Sequence, residues 1–339
     1  MAGAPLKPIG GFFGLEAQAG APGRAADFGG THRLDFWNAR AALAHLLAVL
    51  GARRVWLPAY ICAEAAGAAA QDGRDVGFYP VGGDLVPDGQ VLARQLRAGD
   101  AVLGVDYFGA RSPTLPELAP RFRDVTWIQD RAQALWPDPA PWGDYILYSL
   151  RKVVGAPDGG VLVSRGGRVR PPRWSADTDT SRLEPSRLRA KDPLGLDNDT
   201  WFLAYRAAEA AMSAEPMPIS EVSRAVADAL DTSATVARRR RNAEALLARI
   251  GEVALFPAER LLAGSPLGVP VLTEDAAAVA ARMARARVFC ARHWPDLPSP
   301  PADFPAEHEL SRRLLTLPCD HRYDEADMAR VAETFLASR

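Results

Sequence analysis

Lys152 occupies a setting that suits a lysine acting as a nucleophile. The sequence contains three lysines, Lys7, Lys152 and Lys191, among 40 lysines and arginines together. Lys152 follows an apolar, strand-like run at 145–149 and precedes a glycine-rich return at 155–160. At a strand end, burial and the charge of Arg151 disfavour the ammonium form, and a neutral amine forms an imine with an aldehyde. A lysine taken alone is more often a surface residue. The residues around Lys152 are what favour a role in imine formation.

An acidic residue ends the strand-like run before the lysine strand. Asp130 follows the apolar run at 125–129, and Gln133 lies about one helical turn further along. A pyridine-type cofactor needs a carboxylate partner to keep its ring nitrogen protonated, and Asp130 is a candidate for that role. Gln133 is a candidate hydrogen-bond partner for a phenolic oxygen on the same ring. The alternative for Asp130 alone is a helix N-cap.

A polar turn opens an apolar helix near the start of the chain. Asn38, Ala39 and Arg40 begin this helix, and helix N-termini present free amides and a positive dipole end to anions. The turn is therefore a candidate phosphate site, and the hydroxyl of Ser149 is a candidate second contact. The alternative for Asn38 is a helix cap without a ligand.

Two side chains after another strand are candidates for packing on the face of a ring. Tyr60 and Cys62 leave the strand at 54–58 at the end where ligands bind in parallel sheets. Core packing is an equally good interpretation of either residue. Tyr107 and Phe108 follow a further strand and have the same two interpretations.

The elements that carry these residues alternate between apolar strands and helices. Short apolar strands separated by helices predict an α/β fold with a mostly parallel sheet covered on both faces. The pattern predicts helices at Ala39–Leu50 and 63–71 and strands at Arg54–Pro58, 76–79, Ala101–Val105, 125–129, Tyr145–Ser149 and Gly160–Ser164.

The second half of the chain predicts an irregular excursion followed by a smaller α/β domain. Residues 165–200 are rich in Arg, Pro and Asp and predict a surface excursion or lid. We expect a large domain at 1–234 and a small C-terminal domain at 235–339. Helices are predicted at 201–212, 220–230, 235–250, 274–293 and 324–338, and strands at 253–256, 269–272 and 314–317. The arginine run at 238–241 indicates that this face of the helix predicted at 235–250 is exposed to solvent or lies at an interface.

Composition excludes several classes of protein. A formal net charge of −1 offers no basic field for nucleic acid, and no apolar run reaches the length of a membrane span. The beginning of the chain lacks the pattern of a secretory signal. Cys62, Cys290 and Cys319 form neither a disulfide framework nor a metal-ligand cluster, so we expect no metal and a cytoplasmic location.

The order of these segments resembles the DegT/DnrJ/StrS family of pyridoxal 5'-phosphate (PLP)-dependent sugar aminotransferases of fold type I. The resemblance runs from 10–16 (GGFFGLE) to 317–323 (LPCDHRY), and its most specific parts are 128–133 and 149–160. It implies an aspartate-aminotransferase-like fold and a homodimer with shared active sites. The residue roles that it implies are a covalent cofactor link and proton transfer for Lys152, the pyridinium partner for Asp130, the phenolic-oxygen contact for Gln133, phosphate contacts for Ser149, Asn38, Ala39 and Arg40, and ring packing for Tyr60 or Cys62.

The sequence also departs from the family's pattern. Ala39 and Arg40 stand where the family usually has a small Gly-Thr turn, and Arg131 follows Asp130 where Ala or Cys is commoner. The asparagine that family members lend to the partner's phosphate site has no clear match in 165–200.

The function implied is transfer of an amino group from an amino acid, with glutamate as the expected donor, to a keto acceptor such as a nucleotide-linked ketosugar. A PLP-dependent dehydratase or lyase is one alternative, although sugar dehydratases of the family carry histidine in place of the lysine. A non-catalytic PLP-fold binding or regulatory protein is the other.

Overall fold

A seven-stranded sheet forms the centre of the computed structural model, which describes residues 6–16 and 25–339. Its strand order is β2-β8-β7-β6-β5-β3-β4. The strands of this sheet are β2 (His32–Phe36), β3 (Arg54–Pro58), β4 (Asp75–Tyr79), β5 (Ala101–Val105), β6 (Thr126–Arg131), β7 (Tyr145–Ser149) and β8 (Gly160–Ser164). Neighbours from β4 to β7 pair in parallel, whereas β8 is antiparallel to both β7 and β2. The expected mostly parallel sheet is confirmed.

Burial of whole strands explains why this sheet forms from these residues. Every residue of β5 (AVLGV) and β8 (GVLVS) is buried. Parallel strands covered on both faces read as continuous apolar runs, and both segments have that pattern. β2 (HRLDF) is half-buried along most of its length, so its polar residues gave no strand signal in the sequence.

Helices cover the sheet and continue into the C-terminal part. The predicted bounds of the first helix are confirmed: Asn38 caps its start and Gly51, at φ 64°, ends it. The helices are α1 (Ala39–Leu50), α2 (Ala63–Ala69), α3 (Gly89–Gln95), α4 (Leu115–Leu118), α5 (Leu150–Val153), α6 (Leu183–Lys191), α7 (Asn198–Ala210), α8 (Glu221–Ala229), α9 (Thr232–Ile250), α10 (Ala258–Ala263), α11 (Ala276–Arg285), α12 (Pro305–Arg313) and α13 (Glu325–Ser338).

Two short strand pairs lie in the C-terminal part. β9 (Gly268–Leu272) pairs antiparallel with β11 (Leu314–Pro318). β1 (Ile9–Gly10) pairs in parallel with β10 (Val288–Phe289), so the beginning of the described chain joins its last third. The Tyr323 hydroxyl lies 2.8 Å from the Gly10 amide and accepts its hydrogen bond. The two ends of the family resemblance therefore meet in space.

Three predicted elements differ in the structure. The expected strand at 253–256 is a single bridge from Ala254 to Val271, because a 3-10 turn occupies Gly251–Val253. The expected helix at 274–293 ends at Arg285, since Arg287 has φ 61° and turns the chain into β10. The excursion at 165–200 contains α6 and the first residues of α7.

The arginine run and the domain boundary both fall on α9. Arg239 is fully buried, whereas Arg238, Arg240 and Arg241 are exposed, so the expected solvated face holds for three of the four. The boundary that we expected between 234 and 235 lies inside the first turn of α9 and remains a proposal.

No helix in the described ranges is long and apolar enough to cross a membrane.

Candidate active site

The carboxyl ends of three strands meet at one edge of the central sheet. In the register of the sheet, Ser149 at the end of β7 pairs with Gly160, and Gly160 also pairs with Phe36 at the end of β2. Asp130 lies near the end of β6, beside Leu147 of β7. Ligands bind at such an edge in open α/β sheets because the connecting turns leave a crevice there.

A cavity of about 890 Å³ opens at this edge. Other walls come from α7, from residues 289–294 and from residues 316–318. The predicted site residues that line it are Asn38, Ala39, Arg40, Cys62, Asp130, Ser149 and Lys152. These residues come from segments spread over more than a third of the chain.

Lys152 lies within electrostatic reach of several other groups that line the cavity. Burial raises the pKa of the Cys62 thiol and that of the Asp130 carboxyl, and the nearby Lys152 charge opposes both shifts. Burial, together with the nearby Lys152 charge, lowers the pKa of His293 to about 3. Asp130, Cys62 and His293 therefore all lie close enough to Lys152 to respond to its charge.

The Asp130 carboxylate has few partners of its own. Its Oδ1 accepts one hydrogen bond, from the Ala132 amide at 2.8 Å. A half-buried carboxylate with so little compensation resists ionisation, which agrees with its raised pKa. A cationic ring nitrogen facing Asp130 would supply the missing charge, so this residue fits a pyridinium cofactor.

The turn at the start of α1 is packed tightly against β8. The Asn38 side chain accepts a hydrogen bond from the Ala41 amide at 2.8 Å and donates to the Ser213 carbonyl, so Asn38 caps the helix as its alternative interpretation held. A Cβ at Gly160 would lie 2.1 Å from the Asn38 carbonyl carbon, so only glycine allows this approach. Ala39 and Arg40 themselves line the cavity wall.

Two predicted site residues lie outside the cavity lining. Tyr60 is fully buried, and its hydroxyl donates to the His293 carbonyl. Gln133 is buried as well, and its Oε1 accepts from the Phe108 amide at 2.6 Å. The structure brings neither side chain to the cavity, because each is held in the interior by a backbone group. Tyr107 and Phe108 are core residues too.

An arginine cluster, of which only Arg40 was a predicted site residue, lies at the same end of the cavity as α1. Arg151 forms a bidentate ion pair with Glu209 of α7, and both N–O distances are 2.9 Å. Arg182 also contacts Glu209, and Arg40 lies 3.8 Å from it. The signal was absent from the sequence because Glu209 is far from each of these arginines along the chain.

His293 is the second functional candidate that the sequence did not indicate. It lines the cavity, and its Nδ1 lies 3.0 Å from Thr316 Oγ1 of β11. Its low pKa keeps the imidazole neutral beside Lys152. Arg292, its neighbour, also lines the cavity and has no ion pair or hydrogen bond with any described residue.

Clusters of metal-binding side chains are absent from the part of the chain that the structure describes. The three cysteines are free thiols.

Comparison with known proteins identifies the fold. No protein-family model matches the sequence, and no curated protein is detectably similar to it in sequence. Solved structures match over nearly the whole chain. TlmJ, an aminotransferase from Streptoalloteichus hindustanus, superposes with a TM-score of 0.64 at 20% identity, over 90% of this chain and 85% of its own. The chain has the aspartate-aminotransferase fold.

Two further structures with the aspartate-aminotransferase fold agree with this result. The PLP form of Spr1654 from Streptococcus pneumoniae, named as a sugar aminotransferase, gives a TM-score of 0.66 at 12% identity, over 90% of this chain and 86% of its own. DesI, solved in the presence of its TDP-sugar product, gives a TM-score of 0.65 at 20% identity, over 92% of this chain and 81% of its own. The fold type expected from the sequence is confirmed.

Proposed function

We propose that this chain is a PLP-dependent aminotransferase that moves an amino group from an amino acid to a keto acceptor. One observation carries the proposal: Lys152 and Asp130 line the same cavity, and the Lys152 charge acts on the Asp130 carboxyl. A primary amine and a carboxylate that line one cavity can hold the aldehyde and the ring nitrogen of one pyridine ring. The fold supports the same assignment, because the similar structures are aminotransferases by name.

Each predicted site residue that lines the cavity has a proposed task. Bound PLP supplies an electron sink, and the chain's own groups bind, orient and move protons. Lys152 anchors the aldehyde carbon and carries the proton between substrate and cofactor carbons. Asp130 keeps the ring nitrogen protonated, and Cys62 packs on the ring. Phosphate contacts are proposed for Asn38, Ala39, Arg40 and Ser149.

A nucleotide-linked ketosugar is the proposed acceptor, with glutamate as the amino donor. Among the described residues that line the cavity, eight are Arg or Lys and four are Asp or Glu, so the cavity is basic although the whole chain is not. A basic cavity attracts a diphosphate-bearing substrate. The TDP-sugar product recorded with DesI supports this acceptor class.

A product analysis separates transamination from elimination. Incubation with a nucleotide-linked ketosugar and glutamate is expected to give an aminated sugar and 2-oxoglutarate. Loss of water from the sugar without 2-oxoglutarate would instead favour a dehydratase, and PLP uptake without any reaction would favour a binding protein.

We also propose a homodimer with shared active sites, a cytoplasmic location and a domain boundary near residue 234. Sedimentation at micromolar concentration tests the first of these. A monomer that is fully active at that concentration would contradict the shared sites.

Removing the Lys152 amine tests the proposed function directly. Lys152→Ala is expected to lower the transamination rate by about 10²- to 10⁴-fold, because the proton carrier is lost. Borohydride reduction of the wild-type protein with PLP should leave a stable mass increase on Lys152. The matched control is Lys191→Ala, an exposed lysine that should retain both properties. Full activity of Lys152→Ala would refute the mechanism.

A further inference from the structure

We propose that Arg40 and Arg151, held by the shared counter-ion Glu209, form the main phosphate-recognition element of the cofactor site. The inference rests on the proposed PLP-dependent function and names residues for one end of that site. The sequence predicted no ligand-binding role for Arg151. Lys152 was the only charged residue of α5 that was assigned to the cofactor.

The geometry places both guanidinium groups around one carboxylate. Arg151 meets both oxygens of Glu209 at 2.9 Å, and Arg40 Nη2 lies 3.8 Å from Oε1. Arg182 completes the cluster and is itself fixed by the Pro157 carbonyl at 2.6 Å. The side chains of Arg40 and Arg151 are 16% and 13% exposed, so both are largely withdrawn from solvent and still reach the cavity.

Among the described residues, Glu209 is the only carboxylate at ion-pair distance from Arg40, Arg151 and Arg182, so the immediate contacts carry an excess of positive charge. Glu64 and Asp158 act on these arginines only from further away. Burial lowers the pKa of Arg40, and the like charge of Arg151 lowers it further. The Nε of Arg151 is buried and has no hydrogen-bond partner among the described residues. A phosphate monoester, with a charge of about −1.5 to −2 at neutral pH, matches this excess.

The cluster adjoins the backbone groups expected to bind the same phosphate. Arg40 belongs to the first turn of α1, and Arg151 lies two residues after Ser149. Arginine binds a phosphate through two parallel N–H groups, and free amides at a helix start add to that binding. Lys152 follows Arg151 directly, which puts the phosphate end and the amine at neighbouring positions of one cofactor.

A purely structural role for the cluster is the competing explanation. Glu209 lies near the end of α7, and its ion pairs with Arg40, Arg151 and Arg182 would fix this helix against the sheet whether or not a ligand binds. Under that explanation, loss of Arg151 would weaken every ligand of the cavity alike. Under the phosphate explanation, only ligands that carry the phosphate lose affinity.

Comparison of PLP with pyridoxal, which lacks the phosphate, separates the two explanations. Dissociation constants are measured for both ligands by absorbance, and attachment to Lys152 is verified by borohydride reduction and mass spectrometry. In the wild-type protein PLP should bind far more tightly than pyridoxal. Arg151→Gln and Arg40→Gln should each reduce this preference by about ten- to a hundredfold, while pyridoxal binds within about twofold of wild type. Arg292→Gln, a second arginine of the cavity, should keep the preference.

Two further measurements distinguish the loss of a phosphate contact from a folding defect. Arg151→Lys keeps one positive charge and should retain part of the preference. In the protein without cofactor, inorganic phosphate should raise the melting temperature of wild type and not that of Arg151→Gln.

Equal losses of PLP and pyridoxal binding in Arg151→Gln would overturn the phosphate assignment while the Lys152 attachment remains. An unchanged preference in both variants would overturn it as well. If wild type attaches neither ligand to Lys152, the proposed function fails and this inference fails with it.

Discussion

At the scale of single residues, the site combines an amine with groups whose protonation depends on burial. Lys152, Asp130 and His293 line one cavity, and burial shifts the pKa of Asp130 up and that of His293 down. Burial disfavours the charged form of each group, so the carboxyl resists losing its proton and the imidazole resists gaining one. A cationic cofactor would reverse the effect on Asp130.

His293 should make the protein sensitive to acid. The unfolded chain has an ordinary histidine pKa near 6.5, and the folded value is about 3. As the pH falls from about 6.5 towards 3, the unfolded state gains a proton that the folded state refuses, so the free energy of unfolding decreases. The slope from this residue is at most about 1.4 kcal/mol per pH unit.

Urea unfolding of the cofactor-free protein between pH 7 and pH 4 measures this slope. His293→Asn removes the titrating group and should have a shallower dependence on pH than wild type. Parallel curves for the two proteins would show that His293 is not held neutral in the fold.

At the scale of elements, the contact between β8 and the start of α1 shapes the phosphate end of the site. Gly160 opens β8, pairs with both Phe36 and Ser149, and lies against the backbone of residues 38 and 39. Any side chain here must displace backbone atoms, because the nearest neighbours are not flexible side chains.

Gly160→Ala should therefore weaken both folding and cofactor binding. The added Cβ would lie 2.3 Å from the Ala39 amide nitrogen, and we expect a destabilisation of about 1–3 kcal/mol. Displacing that amide should also reduce PLP affinity. Gly166→Ala is the matched control, since nothing lies within 4 Å of its Cβ, and its effect should stay within about 0.5 kcal/mol. Equal stability of the two variants in urea would contradict the close contact.

At the scale of the whole molecule, Arg239 connects the C-terminal helices to the turn that carries Lys152. From the middle of α9 its guanidinium donates to the carbonyls of Val153 and Pro266. Burial lowers its pKa, and the charge of Asp320 opposes that shift. The position of α5 therefore depends on a residue more than 80 positions away.

Arg239→Ala should destabilise the protein by about 2–5 kcal/mol, because it leaves a cavity and two carbonyls without donors. Arg241→Ala changes an exposed arginine of the same helix and should cost less than about 0.5 kcal/mol. Chemical unfolding of both variants measures the difference. Similar midpoints for the two would show that Arg239 does not hold these segments together.

The sequence by itself predicted six of the seven strands of the central sheet, and seven of the predicted site residues line one cavity. The bounds predicted for α1, β3, β5, β7 and β8 are those of the structure. Apolar runs, a capping Asn38 and a terminating Gly51 are local signals, and these elements obey them. Strand ends in a parallel sheet converge on one edge, so the pattern of the sequence was enough to predict a shared site for Asp130 and Lys152.

Tertiary structure alone decided which side chains complete that cavity and which turn away from it. Glu209 and His293 reach the cavity from distant segments. Tyr60 and Gln133 are close in sequence to the lining residues Cys62 and Asp130, yet both are held in the core. Residue type and periodicity indicate whether a side chain is buried. They do not indicate its partner, because the partner is fixed by how separate elements pack.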